Sequence, residues 1–175
     1  MKNKINIKLN GNDVPYISFS IKESFNCIAT EVKVEAPIDF LDNDVEINGY
    51  KFTPVRAVSM TVGSCVTTFY PKSYVDWCKK LYQPVIKTQS FEDLMKYYGI
   101  DTVMLQKSEP VYWCLPEMKF NTLLTQVKNY VQIPNGGGVV MTVGFNSKLR
   151  VCDLKRATEG ESVKIAGRFI MKTIS

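Results

Sequence analysis

The chain has 175 residues, a net charge of +5 and 45% hydrophobic residues, which excludes a disordered chain and fits one domain or two small ones. It contains no histidine, which excludes Ser-His-Asp and Cys-His nucleophile systems and mixed histidine–cysteine zinc sites within the chain. The basic residues are dispersed, so they favour solvated faces over a phosphate-binding stripe.

The sequence predicts neither a membrane span nor a signal peptide. No apolar run reaches the roughly 18–20 residues that cross a bilayer. Residues 1–10 alternate between polar and apolar types, so they lack the continuous apolar stretch of a signal peptide. Synthesis in the cytoplasm is therefore expected.

The cysteines are odd in number and widely spaced. No CxxC pair is present, which excludes a zinc ribbon or a thioredoxin-type motif. We expect reduced, unpaired and mostly buried thiols, and neither a metal nor any other cofactor. The five residues are Cys27, Cys65, Cys78, Cys114 and Cys152.

The first 70 residues predict a small antiparallel β-barrel or sandwich. Alternating polar and apolar residues indicate about six short strands. Asn10-Gly11 and Asn48-Gly49 predict tight two-residue hairpin turns. The predicted strands cover residues 4–9, 14–21, 28–35, 45–47, 50–52 with 55–60, and 61–70.

Apolar residues at helical spacing predict three helices after residue 71. Ser73 and Ser90 are expected to cap the first two, and Gly99 is expected to end the second. Leu94, Leu124 and Val127 are central on the apolar faces, so they are expected in a shared core under the sheet. The predicted helices cover residues 74–81, 91–98 and 120–131.

Further short strands complete an α+β, mainly β fold with a helical insert and a C-terminal helix plus hairpin. The expected division is a barrel-like domain at 1–70, a small α/β insert at 71–118, and a helix, hairpin and closing strand at 119–175. The further strands cover residues 85–86, 103–105 (short and buried), 111–115, 139–143, 148–154 and 163–170.

Two motifs are interpreted as turns. The glycines after Asn135 follow a helix and open a strand, the reverse of the order in a phosphate-binding loop. The acidic residues Asp39, Asp42, Asp44 and Glu46 lack the helix–loop–helix context of a calcium loop, so a solvated turn is expected. No catalytic, cofactor-binding or metal-binding residue is assigned.

Two aromatic pairs have the residue types that stack on nucleic-acid bases. They are Tyr97-Tyr98 and Tyr112-Trp113. Aromatic residues on strands mostly pack in a protein interior. Tyr98 and Trp113 are therefore expected as core or interface residues.

The order of several segments resembles the layout of a known family. A strand and its continuation read ISFSIKESF at residues 17–25, and a short hairpin reads VEINGYKF at 45–52. A helical insert then ends at the Gly99-Ile100 turn, before the helix at 120–131 and the hairpin at 138–151. From residue 4 to 152 this order resembles the hub family of phage baseplates and related contractile injection machines.

The resemblance implies a non-catalytic component of a phage tail or baseplate, synthesised in the host cytoplasm and located in the virion. Family hubs are longer and carry two barrels per chain, and three such chains close a pseudo-sixfold ring that continues the tail tube. One barrel per chain would require six barrels for that ring, from six copies or from a mixture with a partner protein. The implied partners are other tail or baseplate proteins, with neither a membrane nor nucleic acid expected.

The strand pattern gives a second reason to expect an oligomer. Residues 61–70 and 139–143 carry apolar or threonine side chains on both faces. Strands buried on both faces need a second covering layer, which a neighbouring chain in a ring would supply.

Two other functions are compatible with the sequence. The positive net charge, with tyrosine and lysine residues, fits a β-barrel that binds single-stranded nucleic acid. The carboxylates fit a hydrolase that works without histidine, although no particular pair is selected.

Overall fold

The computed structural model describes residues 5–23, 28–60 and 63–155. They form two compact units. The first contains the described residues up to Val75 together with Gly144–Ser147, and the second contains Asp76–Val143 and the described residues from Lys148 onward. The fold is mainly β with α-helices, as expected, whereas the division at residues 70 and 118 stays a prediction.

The first unit is built on a curled antiparallel sheet, which the alternation of polar and apolar residues predicted. Its described strands run in the order β2-β1-β5-β6-β7-β4-β3. They are β1 (Ile7–Leu9), β2 (Asn12–Asp13), β3 (Ser18–Lys22), β4 (Glu31–Ala36), β5 (Val45–Ile47), β6 (Tyr50–Ser59) and β7 (Cys65–Pro71).

Both Asn-Gly hairpin turns are confirmed. Asn48 and Gly49 have φ angles of 50° and 85° and join β5 to β6. Asn10 and Gly11 have φ angles of 52° and 83° and join β1 to β2. Positive φ at both central residues gives the turn whose twist matches that of the flanking strands, and Asn-Gly tolerates it at low cost.

The inward face of this sheet holds the core of the first unit. Phe40 packs edge-on against Phe69, with ring centroids 5.5 Å apart. Phe52 packs against Phe145 of the turn at Gly144–Ser147, with centroids 4.8 Å apart. The buried residues of this core are Ile5, Ile7, Val32, Val34, Ala36, Phe40, Val45, Ile47, Phe52, Phe69 and Phe145.

Strands β6 and β7 differ in extent from their predictions. Residues 50–52 and 55–60 belong to one strand, β6, whose pairing with β7 shifts register between Pro54 and Arg56. Such a shift lets the ladder continue past a proline, which cannot donate to it. β7 begins only at Cys65, because the chain reverses near Gly63, where φ is 72°.

The second unit combines helices with three small sheets in its described part. β10 lies parallel to β14, β14 pairs antiparallel with β13, and β9 with β11 and β8 with β12 form two antiparallel ribbons. The strands are β8 (Leu81–Tyr82), β9 (Val85–Gln89), β10 (Thr102–Met104), β11 (Val111–Leu115), β12 (Met118–Lys119), β13 (Val139–Val143) and β14 (Leu149–Asp153). The helices are α1 (Lys72–Lys79), which begins in the first unit, α2 (Phe91–Tyr97) and α3 (Phe120–Val127).

The predicted cap of α1 is wrong. The helix starts at Lys72, directly after β7, so Ser73 lies inside its first turn. The Ser73 hydroxyl donates instead to the Ser147 carbonyl oxygen at 2.8 Å. Leu81 lies in β8 and is exposed, so the apolar spacing that predicted a longer helix ends at a strand.

The caps of α2 are confirmed. The Asp93 amide donates to the Ser90 hydroxyl at 3.2 Å, which satisfies one of the free donors of the first turn. Gly99 has a φ of 70°, and its amide and that of Ile100 donate to carbonyls of the last turn. The buried face of the helix consists of Phe91, Leu94 and Met95.

Two other predictions for the second unit are corrected. α3 ends at Val127, four residues early, and Tyr130 is exposed. The strand near residue 103 is not buried, because Val103 and Leu105 are exposed. Leu94, Leu124 and Val127 are all buried, as predicted, whereas the shared core under the sheet stays a prediction. The predicted strand at 163–170 lies outside the described residues.

Candidate interaction surfaces

The sheet of the first unit has an edge at β3. This strand pairs with β4, and among the described residues no strand lies on its other side. Phe19 and Ile21 pack against the core, whereas Ser18, Ser20 and Lys22 are exposed. A strand edge presents unpaired amide and carbonyl groups, and natural sheets protect such edges or use them for pairing with another chain.

A second unpaired edge lies within the same sheet. β5 pairs with β6 only along Tyr50–Phe52, so the rest of β6 pairs on one side only in the described structure. Val55, Val58 and Met60 are exposed along this segment. Exposed aliphatic residues beside an unpaired strand edge are typical of a contact surface.

The outward face of the sheet is polar and internally bonded. Glu35 accepts hydrogen bonds from the hydroxyls of Ser18 and Ser64, both at 2.9 Å. Glu31 accepts from the Tyr70 hydroxyl at 3.2 Å and pairs with Lys33 at 3.2 Å. β7 alternates between buried and half-buried residues. Its outward-facing side chains are therefore partly shielded from solvent by polar neighbours of the same unit.

The predicted acidic turn is anchored at both ends and exposed between them. Phe40 is buried, and Asp44 accepts from the Thr53 hydroxyl at 2.7 Å and pairs with Lys72 at 2.8 Å. Asp39 accepts from the Leu41 amide at 3.3 Å. Within the described ranges no three His, Cys, Asp or Glu side chains cluster as metal ligands would. We name the exposed residues Ile38, Asp39, Leu41 and Asp42 the acidic tip.

In the second unit, the ribbon of β9 and β11 has one buried and one exposed face. Trp113 lies on the buried face, and its indole Nε1 donates to the Gln89 carbonyl oxygen at 2.9 Å. This confirms the interior placement predicted for Trp113. Its neighbour Tyr112 is 65% exposed. We name the exposed face, made of Ile86, Thr88, Tyr112 and Cys114, the ribbon face.

A shallow groove of about 580 Å³ adjoins the ribbon face and shares Thr88 with it. Lys87 and Lys96 bring two ammonium groups to this groove, and neither has an ion pair among the described residues. The exposed ring of Tyr97 also lines it. Burial, and then the neighbouring Tyr97, raise the pKa of Tyr98, whose hydroxyl donates to the Gln83 carbonyl oxygen at 2.8 Å.

The glycine-rich loop after Asn135 closes on a carboxylate. The amides of Gly137 and Lys155 both donate to Asp153 Oδ1, at 2.8 and 2.9 Å. A Cβ at Gly136 would approach Asp153 Oδ2 to 2.7 Å, so glycine is needed there. The Gly137 amide is therefore already bonded to a carboxylate of the chain, which supports the predicted turn. No pattern in the sequence indicated this role of Asp153, because it depends on β14 returning past the loop.

The expectation that the cysteines are mostly buried is wrong for those in the described residues. Cys65 is buried, Cys78 and Cys152 are half-buried, and Cys114 is exposed on the ribbon face. Cys65 and Cys114 are free thiols. Cys27 lies outside the described residues.

We therefore expect a defined order of alkylation in the native protein. Iodoacetamide should label Cys114 first and Cys65 last, because access to the sulfur limits the reaction when the thiol is buried. Mass spectrometry of peptides after timed quenching measures the order. Labelling of Cys65 as fast as that of Cys114 would contradict this placement, and labelling in denaturant controls for intrinsic reactivity.

Comparison with known proteins shows what the fold resembles. The sequence matches no protein-family model and no curated protein. The prophage tail protein gp18 from Listeria monocytogenes EGD-e aligns with a TM-score of 0.57 at 13% identity, covering 85% of this chain and 50% of the other. The tail protein from Neisseria meningitidis MC58 aligns with a TM-score of 0.59 at 11% identity, covering 86% and 51%.

The chain thus shares its fold with these two tail proteins over 85% and 86% of its length. It spans about half the length of these two structures. None of the helices in the described ranges is long and apolar enough to cross a bilayer.

Proposed function

We propose that this chain is a non-catalytic structural component of a phage tail, hub-like, and part of a ring at the end of the tail tube. The observation that carries the proposal is the fold it shares with two tail proteins over 85% and 86% of its length. Its location would be the tail or baseplate of the virion, and its partners would be other tail proteins.

Two unpaired strand edges of the first unit support assembly. A ring requires each subunit to present two different surfaces, one to each neighbour. The edge at β3 and the second half of β6 are two such surfaces on one sheet. Because the chain spans about half of each related structure, six copies, or a mixture with a partner protein, would supply the barrels of a sixfold ring.

The role of the β6 edge can be tested with Val58→Lys in cells that produce the particle. A lysine on a strand edge opposes pairing with another strand, so we expect assembled tails to fall by about tenfold or more in electron micrographs. Val103→Lys is the matched control, because Val103 and Val58 are both 42% exposed. Circular dichroism checks that both variants fold.

Cryo-electron microscopy of the native particle tests the structural role itself. We expect symmetric copies of the chain whose strands abut across subunits. A chain that is absent from the particles and turns over a substrate or binds DNA as a monomer would contradict the proposal.

A second candidate function is binding of single-stranded nucleic acid, which the exposed Tyr97 and Tyr112 and the nearby Lys87 and Lys96 favour. Such binding would weaken steeply as salt rises. Fluorescence anisotropy with labelled single-stranded DNA at two salt concentrations measures it. Retained binding by the double variant Tyr97→Ala/Tyr112→Ala would exclude stacking on these rings.

A further inference from the structure

We propose that the acidic tip of one copy docks against the ribbon face and the adjoining groove of a second copy. This inference rests on the proposed function, and it adds to the strand edges a further contact through which identical chains would meet. The tip belongs to the first unit and the groove to the second, so the contact joins two different surfaces. Contacts of that kind link subunits head to tail and close into rings when the rotation allows.

Charge complementarity identifies the occupant. The groove lining carries the ammonium groups of Lys87 and Lys96 and one carboxylate, Asp93, which accepts from the Ser90 hydroxyl at 2.7 Å, so positive charge is in excess by one. An anionic partner is therefore favoured there. The acidic tip offers the exposed carboxylates of Asp39 and Asp42, which have no ion pair within the described structure.

The apolar parts of the two surfaces also correspond. Ile38 and Leu41 project from the tip, and Ile86 and Tyr112 project from the ribbon face. These apolar side chains can bury area against each other where the ribbon face meets the groove at Thr88, whereas Lys87 pairs with Trp113 and lies on the other face of the ribbon. Without such a partner these four large apolar side chains stay in water.

The tip is held in shape before it binds. Phe40 is anchored in the core, Asp44 is held by Thr53 and Lys72, and the Asn43 amide donates to the Phe40 carbonyl oxygen at 3.1 Å. A loop that is already ordered loses little conformational freedom on binding. The anchored turn therefore suits a docking element better than a solvated loop.

Charge exchange in the full-length chain tests the pairing. Asp42→Lys and Lys96→Asp should each weaken self-association, measured by sedimentation velocity, by about tenfold or more. Mixing the two variants in equal amounts, or combining both changes in one chain, should restore association to within about threefold of the unchanged protein. Raising the salt concentration should weaken the association of the unchanged protein.

Matched controls are Asp13→Lys and Lys80→Asp, which alter two exposed charges outside these surfaces and should leave association unchanged.

The proposal would be overturned if the protein without substitutions stays monomeric up to about millimolar concentration. It would also be overturned by single variants that associate normally, or by Lys96-dependent binding of single-stranded DNA without an effect on association. If the single variants still build particles that contain the chain, the docking assignment fails and the structural role stands. Absence of the unchanged chain from particles counts against the structural role instead.

Discussion

Replacing Phe52 with alanine is expected to lower the free energy of unfolding by about 3–5 kcal/mol. The Phe52 side chain is 0% exposed and lies between Val45 and Pro71 in the sheet of the first unit. Its ring also packs against Phe145. The change removes this burial and leaves a cavity that a sheet held by two neighbouring strands cannot fully close. Urea denaturation followed by far-UV circular dichroism measures the loss.

Tyr112→Ala is the matched control, because it removes a ring of similar size from a side chain that is 65% exposed. Its effect should stay below about 1 kcal/mol. A loss for Phe52→Ala no larger than that of the control would show that β6 does not seal the core of the first unit.

Local structure was predictable where a few neighbouring residues determine it. The Asn48-Gly49 turn follows from the backbone angles that only a few residue types accept. Helix α2 follows from Ser90, Gly99 and one apolar face, since each cap acts within a single turn. Alternation likewise predicted an antiparallel sheet, because the side-chain period of a strand is two.

The errors arose where distant parts of the chain decide the outcome. Ser73 is a suitable cap by its type, yet its hydroxyl is bonded to Ser147, 74 residues away. Leu81 continues the apolar spacing of α1, but pairing of β8 with β12 takes it into a strand. Propensity is a weak prior, and such tertiary contacts override it.

The candidate surfaces were predictable only in part. Tyr112 and the acidic residues stood out by type, and Trp113 was correctly placed in the interior. The unpaired half of β6 was missed although the length of β5 was predicted correctly, because only the tertiary structure shows that no other described strand pairs beyond β5. The groove lysines were also missed, since α2 brings Lys96 near Lys87 across nine positions of sequence.

Leu124→Ala is expected to destabilise the second unit by about 2–5 kcal/mol. Leu124 is 5% exposed on the buried face of α3, beside the fully buried Leu123 and Val127. A helix of eight residues is only marginally stable in isolation, so α3 depends on the packing of its apolar face. Truncation of Leu124 removes part of that packing. Both tryptophans of the chain, Trp77 and Trp113, belong to this unit, so tryptophan fluorescence during urea denaturation reports its unfolding directly.

Leu81→Ala provides the control, since it deletes the same atoms from a leucine of the same unit that is 49% exposed. Burial scales with the area removed from water, so this change should cost less than about 1 kcal/mol. Equal shifts of the fluorescence midpoint for the two variants would mean that α3 does not bury Leu124. A loss below about 0.5 kcal/mol for Leu124→Ala would mean that this helix face is turned toward solvent or a partner.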